Sequence, residues 1–319
     1  MTASDAEIAR AADVLRTGGL VAFPTETVYG LGADASSTDA VHRLFAVKGR
    51  PADHPVIVHV GEAAQLDDWA VDVDDRARTL TRACWPGPLT VVVRRSPHVP
   101  DAVTGGLDTV GVRVPDQPVA LALLRAFGGG VAAPSANRFG HVSPTTAADV
   151  LDDLGDDVDV ILDGGPSRVG VESTIVDCSR PEPAILRLGG VPRERVEELL
   201  DRPVPLLDRG EVRAPGTLES HYAPHARVEV ADPDSLADLL AEARERGDRV
   251  GVIGHPGADE AVEVLGVPCD GNEYAHDLYR MLRDADARGL DRVIAVLPDP
   301  TGLGAAVADR LRRASGARE

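Results

Sequence analysis

Of the 33 basic residues in this sequence, one is a lysine, Lys48, and the rest are arginine. A GC-rich genome or a salt-rich cytoplasm accounts for such a bias, but neither accounts for where the surviving lysine stands. Cysteine is scarce as well. Cys84, Cys178 and Cys269 are odd in number and far apart, with no C-x-x-C pair. This argues against a disulfide framework and a structural zinc site, and all three are expected to be buried free thiols. Aromatic residues make up 3%, too few for a surface that stacks bases. Positive charge is outweighed by 52 Asp and Glu, leaving a net charge of -19. That field repels nucleic acid, which a protein holds by its phosphates on a basic face. A small anion can still bind where a few cations converge in a cleft.

Other absences narrow the field further. No apolar run approaches the ~20 residues of a membrane span, and Met1-Thr2-Ala3-Ser4-Asp5 lacks the basic-then-apolar pattern of a signal peptide. A cytoplasmic protein, with no membrane contact and no direct tRNA binding, is expected. There is no G-x-x-x-x-G-K-[ST] phosphate loop and no G-x-S-x-G elbow, and Gly30-Leu31-Gly32 lacks the third glycine of a dinucleotide fingerprint. His221 and His225 are four apart, but Pro224 lies between them and the stretch reads as a loop, so no metal site of protein side chains is expected.

What is present is the composition of a well-cored protein, 43% hydrophobic and 27% charged, over 319 residues with room for two domains. Ser4-x-x-Glu7 reads as a capping box for a helix from Asp5 to Thr17, ended by Gly18-Gly19. Short apolar runs predict strands at 20–23, 55–60, 89–93, 110–114, 130–133, 158–162, 173–178 and 184–188. Helical patterns fall between some of them, at 38–47, 74–84, 118–127, 145–154 and 192–200. Ser143-Pro144 reads as an N-cap followed by proline at the first helical position. This irregular order predicts an α/β domain with a twisted mixed open sheet. A stretch with prolines, glycines and little periodicity follows and reads as a linker. A second rhythm begins at Arg227, with strands at 228–230, 249–253 and 293–297 and helices at 235–246, 274–288 and 303–314. The expected organisation is a catalytic domain over 1–205, a linker or lid over 206–226 and a smaller Rossmann-like α/β domain over 227–319.

Polar residues recur at strand ends, where open α/β sheets bind ligands. Pro24-Thr25-Glu26-Thr27 follows the first strand and leads into a glycine-rich bend. Lys48-Gly49-Arg50-Pro51 follows a helix, and two long cations flanking a glycine suit phosphate oxygens. His59 ends an apolar strand, Arg113 and Arg187 interrupt two others, Ala133-Pro134-Ser135-Ala136-Asn137 follows another and Glu172-Ser173-Thr174 begins one. Each of these alone is weak, since a strand arginine is usually a salt-bridging residue, a lone histidine usually a satisfied core residue, and Thr27 or Ser173 could merely close a turn. Their joint appearance is the signal.

Together these segments resemble the threonylcarbamoyl-AMP synthase family, built on the YrdC-type domain. The matching text is Pro24–Leu31, Lys48–Pro51, Pro55–His59, Trp85–Thr90, Val112–Pro115, Ala133–Asn137 and Glu172–Val176, in family order. The remainder resembles the long branch of the family, with a linker carrying His221-Tyr222-Ala223-Pro224 and a Rossmann-like end containing Asp309-Arg310-Leu311. Relatives often carry a basic residue a few positions before His-Tyr, and Gly216–Ser220 holds no cation here.

The resemblance implies a concrete reaction. L-Threonine and bicarbonate, or dissolved CO2, give an N-carboxylated threonine whose carboxylate attacks the α-phosphorus of ATP. Threonylcarbamoyl-AMP and pyrophosphate result, and a tRNA threonylcarbamoyl transferase complex would consume the product. Lys48 and Arg50 match the catalytic positions. Those two with Thr109, Ser135, Asn137, Ser143, Arg187 and Tyr222 match the ATP site, as does His54, where the family varies. Thr27, His59, Arg113, Ala133 and Ser173 match the threonine pocket. Mg2+ is implied with the nucleotide. The linker is expected to fold over the cleft with Tyr222 near the nucleotide. Two rivals remain: a non-catalytic RNA-binding module, disfavoured by charge and aromatic content, and a carbamoyl-transferring relative of hydrogenase maturation, disfavoured by the missing zinc-finger cysteines.

Overall fold

A computed structural model describes residues 3–207, 222–256 and 262–316. They fall into two compact units. The first holds the residues up to 139, 143–168 and 172 onward to 207; the second holds 140–142, 169–171 and the chain from 222 on. Most of the linker, including His221 and the cation-free stretch 216–220, lies outside the described residues.

The first unit is built on nine strands: β1 (Val21–Phe23), β2 (Gly30–Asp34), β3 (Ile57–His59), β4 (Leu89–Arg94), β5 (Thr109–Arg113), β6 (Val131–Ala132), β7 (Val160–Ile161), β8 (Thr174–Asp177) and β9 (Ala184–Arg187). Their order in the sheet is β7-β1-β2-β6-β3-β5-β4-β8-β9, with parallel pairs β7/β1, β3/β5 and β4/β8 among antiparallel ones, the mixed sheet expected. Strand side chains alternate between faces, and this alternation sorts the core from the chemistry. Val58, Val91, Val112, Ala132 and Val176 point into the main hydrophobic core. The residues between them, His59, Thr90, Gly111 and Ile175, point the other way. On that second face, the β1/β6 end is covered by α1 (Asp5–Arg16) and the helix Pro118–Phe127, whose apolar residues pack with Val21, Phe23 and Val131. The face over β3, β5, β4 and β8 carries His59, Arg113 and Thr90 beside a small apolar cluster of Ile57, Val92, Ile175 and Leu186.

Local sequence accounts for these elements. In α1, Ile8, Ala11, Ala12 and Leu15 recur at helical spacing and are buried, and the Ser4/Glu7 capping box closes its first turn. The helix α2 (Thr38–Lys48) is capped by the Ser37 hydroxyl and ends at Gly49 in the left-handed region, φ 66°. A Cβ at Gly49 would meet nothing within 4 Å, so the position requires glycine's backbone freedom and not its small size.

Several expectations need correction. Gly30-Leu31-Gly32 is not a bend: it lies in β2, antiparallel to β1, because Gly32 lets β2 approach Val131, whose Cγ1 would sit 2.7 Å from an added Cβ. Ser143-Pro144 does not cap a helix. The helix Ala147–Leu154 starts later, capped by a Thr146/Asp149 box, and the Ser143 hydroxyl is turned to Glu172. Of the cysteines, Cys178 is buried, but Cys84 is half-buried and Cys269 exposed.

The second unit carries an all-parallel sheet, β10 (Arg227–Ala231), β11 (Val250–Ile253), β12 (Glu263–Gly266) and β13 (Arg292–Val296), in the order β10-β13-β11-β12. Parallel strands need crossovers, supplied here by helices such as Leu236–Arg246 and Gly271–Ala287. The strand β12 was not foreseen. No described helix is long and apolar enough to cross a membrane.

Candidate active site

The polar face of the first sheet gathers its groups at strand ends. His59 ends β3 and Arg113 ends β5, and the two are register partners on parallel strands. The Arg113 guanidinium donates through Nε to the Gly87 carbonyl oxygen (3.3 Å) and through Nη2 to the Thr27 hydroxyl (2.9 Å). That same Nη2 lies 2.8 Å from Glu26 Oε1. Thr27 sits in the buried turn between β1 and β2, fixed by a 2.8 Å hydroxyl contact with Thr25. The His59 ring stands edge-on to Phe23, with centroids 6.0 Å apart. Burial, and then the Arg113 charge, push its pKa down to about 3, so the ring is neutral at physiological pH.

Ser173, just before β8, shares a 2.8 Å hydroxyl contact with Thr90 on β4. Arg187, the last residue of β9, donates to the Ser173 carbonyl oxygen from Nε (3.0 Å) and Nη2 (2.8 Å) and to its hydroxyl (3.1 Å). Ala133 follows β6, its N–H bonded to the Ile57 carbonyl oxygen at 2.9 Å. The five residues expected at a threonine pocket thus lie at the ends of neighbouring strands or in the turns that join them.

A second cluster surrounds Lys48. In α2 the buried positions are Ala40, Val41, Leu44, Phe45 and Lys48, so the only lysine in the sequence is on the buried face of its helix. Its Nζ donates to the Ser135 carbonyl oxygen at 2.5 Å and also to that of Asn137. Burial, reinforced by the nearby Arg50 charge, holds its pKa well below the usual lysine range. Gly49 turns the chain, and Arg50 Nη2 donates to the Pro55 carbonyl oxygen at 2.7 Å. His54 is half-buried against Phe139. Ser135 is half-buried and Asn137 buried, the Asn137 side chain donating to the Arg138 carbonyl oxygen at 2.8 Å. The Ser143 hydroxyl donates to Glu172 Oε1 at 2.7 Å, and Thr109 lies on the same face of β5 as Arg113. The arrangement can chemically hold two kinds of anion: a planar carboxylate suits the Arg113 guanidinium, and phosphate oxygens suit Lys48 and the nearby Arg50.

Tyr222 belongs to the second unit, is fully buried, stacks on Tyr279 at 5.8 Å and lies under the Arg310 guanidinium, 5.1 Å from its ring centroid. Its φ of 67° is unusual for a bulky residue, and the stack holds it there. Three further polar groups were given no role by sequence reasoning: Glu26, Thr90 and Glu172. All three stand inside or beside the motif segments, and the available signal was a charged or hydroxyl residue adjacent to a site residue or facing one across a strand pair.

A mixed sheet with buried polar residues at its strand ends, followed by a unit with a parallel sheet, defines a two-unit α/β protein, and comparison with known proteins narrows it. Residues 13–189 match the Sua5–YciO–YrdC family model, described as "Telomere recombination", and residues 191–316 match the model described as "Threonylcarbamoyl-AMP synthase, C-terminal domain". The sequence is 44% identical to threonylcarbamoyl-AMP synthase of Pyrococcus abyssi, covering 97% of this chain and 94% of that one. It is 42% identical to threonylcarbamoyl-AMP synthase of Bacillus subtilis, covering 100% and 95%. The crystal structure of P. abyssi Sua5 complexed with L-threonine matches with a TM-score of 0.93 at 42% identity, over 100% of this chain and 96% of that one. The chain belongs to the threonylcarbamoyl-AMP synthase family.

Proposed function

We propose that this protein is an ATP-using enzyme that joins L-threonine and bicarbonate, or CO2, to AMP, giving threonylcarbamoyl-AMP and pyrophosphate for threonylcarbamoyladenosine formation in tRNA. One observation carries the reading: in an acidic chain whose full-length relatives bear that enzyme's name, a buried guanidinium suited to a carboxylate, Arg113, ends a strand, and the only lysine in the sequence is buried against the carbonyl oxygens of the segment that follows β6. Arg113 takes the threonine carboxylate by its planar fork. Thr27 and Ser173 offer hydroxyls to the rest of the amino acid, Ala133 leaves room for it, and neutral His59 makes the wall beside Phe23. Lys48, Arg50 and Arg187 face the triphosphate, helped by Ser135, Asn137, Ser143, Thr109 and His54. When the carbamate oxygen attacks the α-phosphorus, charge grows on the phosphate oxygens, and cations already in place stabilise it without reorganising. Lys48 is suited to this because a buried ammonium hydrogen-bonded to carbonyl oxygens gains a counter-charge when phosphate arrives.

Mg2+ would enter with ATP. Such an ion would be carried by phosphate oxygens and water, with the Glu172 carboxylate standing beside the Ser143 hydroxyl. Bound there, it would neutralise phosphate charge. The product is a mixed anhydride prone to hydrolysis, so it is passed to a tRNA-modifying transferase and no tRNA need bind this acidic chain. The test is one incubation with ATP, L-threonine and bicarbonate, analysed by mass: threonylcarbamoyl-AMP is expected, and its absence while the folded protein binds ATP would overturn the reading.

A further inference from the structure

Glu26 is 1% exposed, and among the described residues neither of its carboxylate oxygens has a hydrogen-bond partner. Arg113 Nη2 lies 2.8 Å from Oε1 but is not aligned as a hydrogen bond. A buried carboxylate with open acceptors costs stability, and side chains rarely stay so without a function. Glu26 and Thr27, consecutive in the chain, both converge on that guanidinium nitrogen. The pocket read above therefore contains a fixed positive charge and, against it, a fixed negative one. An α-amino acid is the complementary object: its carboxylate seeks the guanidinium, and its ammonium carries three N–H donors that need acceptors.

The neighbouring groups supply little competition for that role. His59 also has an unpartnered ring nitrogen, Nδ1, but burial and then the Arg113 and Arg187 charges disfavour its taking up a proton. The hydroxyls of Thr25 and Thr27 contact each other, and those of Ser173 and Thr90 do the same.

We propose that Glu26 is a catalytic residue that binds the ammonium group of the amino-acid substrate and accepts one of its protons before carboxylation. This rests on the threonine-pocket reading above. Written for bicarbonate, an ammonium N–H bond breaks and its proton passes to a Glu26 oxygen, leaving a neutral amine. The nitrogen lone pair then forms the N–C bond to the bicarbonate carbon. The bicarbonate hydroxyl departs with the second amine proton as water, and the carbamate anion remains. As substrate arrives, its carboxylate takes over Arg113 and its ammonium takes over Glu26, so the internal ion pair is replaced by two intermolecular ones.

The test measures binding of L-threonine and of 3-hydroxybutanoate, which keeps the carboxylate and hydroxyl but lacks the ammonium, to the full chain and to Glu26→Gln. Wild-type protein that fails to bind L-threonine at all would overturn the pocket reading itself. With threonine bound, the expected result is that the wild type prefers it over 3-hydroxybutanoate by about 10- to 100-fold, the worth of a charged hydrogen-bonded pair, and that Glu26→Gln collapses this preference while keeping the weak affinity for the deaminated acid. A preference that survives in Glu26→Gln would refute the proposal. Should that variant not fold, the wild-type arm decides alone: equal affinity for the two acids refutes the ammonium site, and a strong preference for threonine sustains it. In the folded variant, carboxylation-dependent turnover should recover as pH rises toward the range where the free amine forms, and a parallel loss at every pH would contradict proton acceptance.

Discussion

Arg187 fastens its guanidinium to both the carbonyl oxygen and the hydroxyl of Ser173, at 2.8 and 3.1 Å from the same nitrogen. In the proposed site the two residues serve different substrates, ATP for Arg187 and threonine for Ser173. The hydrogen bonds between them join the two halves of the proposed site, which gives it a mechanical link as well as proximity.

That link has a measurable consequence. Arg187→Ala should raise the KM for threonine as well as for ATP, because Ser173 loses the donor that orients it. Ser173→Ala combined with Arg187→Ala should cost less than the sum of the two, with a coupling on the order of 1 kcal/mol. Strictly additive effects in a double-mutant cycle on threonine kcat/KM would show that the two positions act separately.

Lys48 should be irreplaceable. Lys48→Ala is expected to lower turnover at least about a hundredfold, the scale of losing one charge-stabilising donor. Lys48→Arg should fail too, since a buried site shaped for one ammonium between two carbonyl oxygens does not fit a planar fork. Because burial depresses the Lys48 pKa, ATP affinity should decline with rising pH below the usual lysine range, and Lys48→Ala should remove that decline. Calorimetric titration of ATP across alkaline pH checks this; full activity in Lys48→Ala contradicts it.

Arg113 divides the substrates. Arg113→Ala should raise the threonine KM far more than the ATP KM, because its guanidinium stands with Thr27 and Glu26 and not with Lys48. Steady-state kinetics with each substrate varied in turn would show it, and an unchanged threonine KM would refute the carboxylate role.

His59 predicts an acid-labile fold. Its folded pKa of about 3 lies below the ordinary histidine value of 6.5. The unfolded chain therefore binds more protons between those values. The contribution to stability is complete above about pH 6.5 and is lost as pH falls toward about 3, at up to ~1.4 kcal/mol per pH unit. His59→Gln should flatten the fall in Tm over that window, measured by thermal unfolding at successive pH values. A variant whose Tm declines in parallel with the wild type would contradict this.

Much of this was legible in the sequence, for physical reasons that differ by residue. The strands carrying His59, Arg113 and Arg187 announced themselves because an apolar β-branched run interrupted or ended by a charged residue is costly unless that residue is used. Lys48 stood out by its rarity, and the structure adds that it is on the buried face of α2. Other features hid. The glycine-rich stretch after Thr27 read as a bend because glycines weaken a strand signal, and the nearness of Val131 to Gly32 shows why one is tolerated there. Ser143-Pro144 has the local chemistry of a helix start, but the Thr146/Asp149 box one turn later is a stronger cap and frees Ser143 for Glu172. Glu26 was passed over because its neighbour Thr27 matched the pattern, and burial without hydrogen-bond partners is a property that no sequence displays. Tyr222 matched the family's pattern in the sequence, but its stack on Tyr279 and its contact with Arg310 within the second unit are contacts between distant segments that no local pattern displays.

The most direct test of the central claim is pyrophosphate release from ATP, followed with L-threonine and bicarbonate supplied singly, together or not at all. Release that requires both, accompanied one-for-one by threonylcarbamoyl-AMP, is the result expected of a site pairing Arg113 with a carboxylate and Lys48 with phosphate. Equal release with neither present would contradict it.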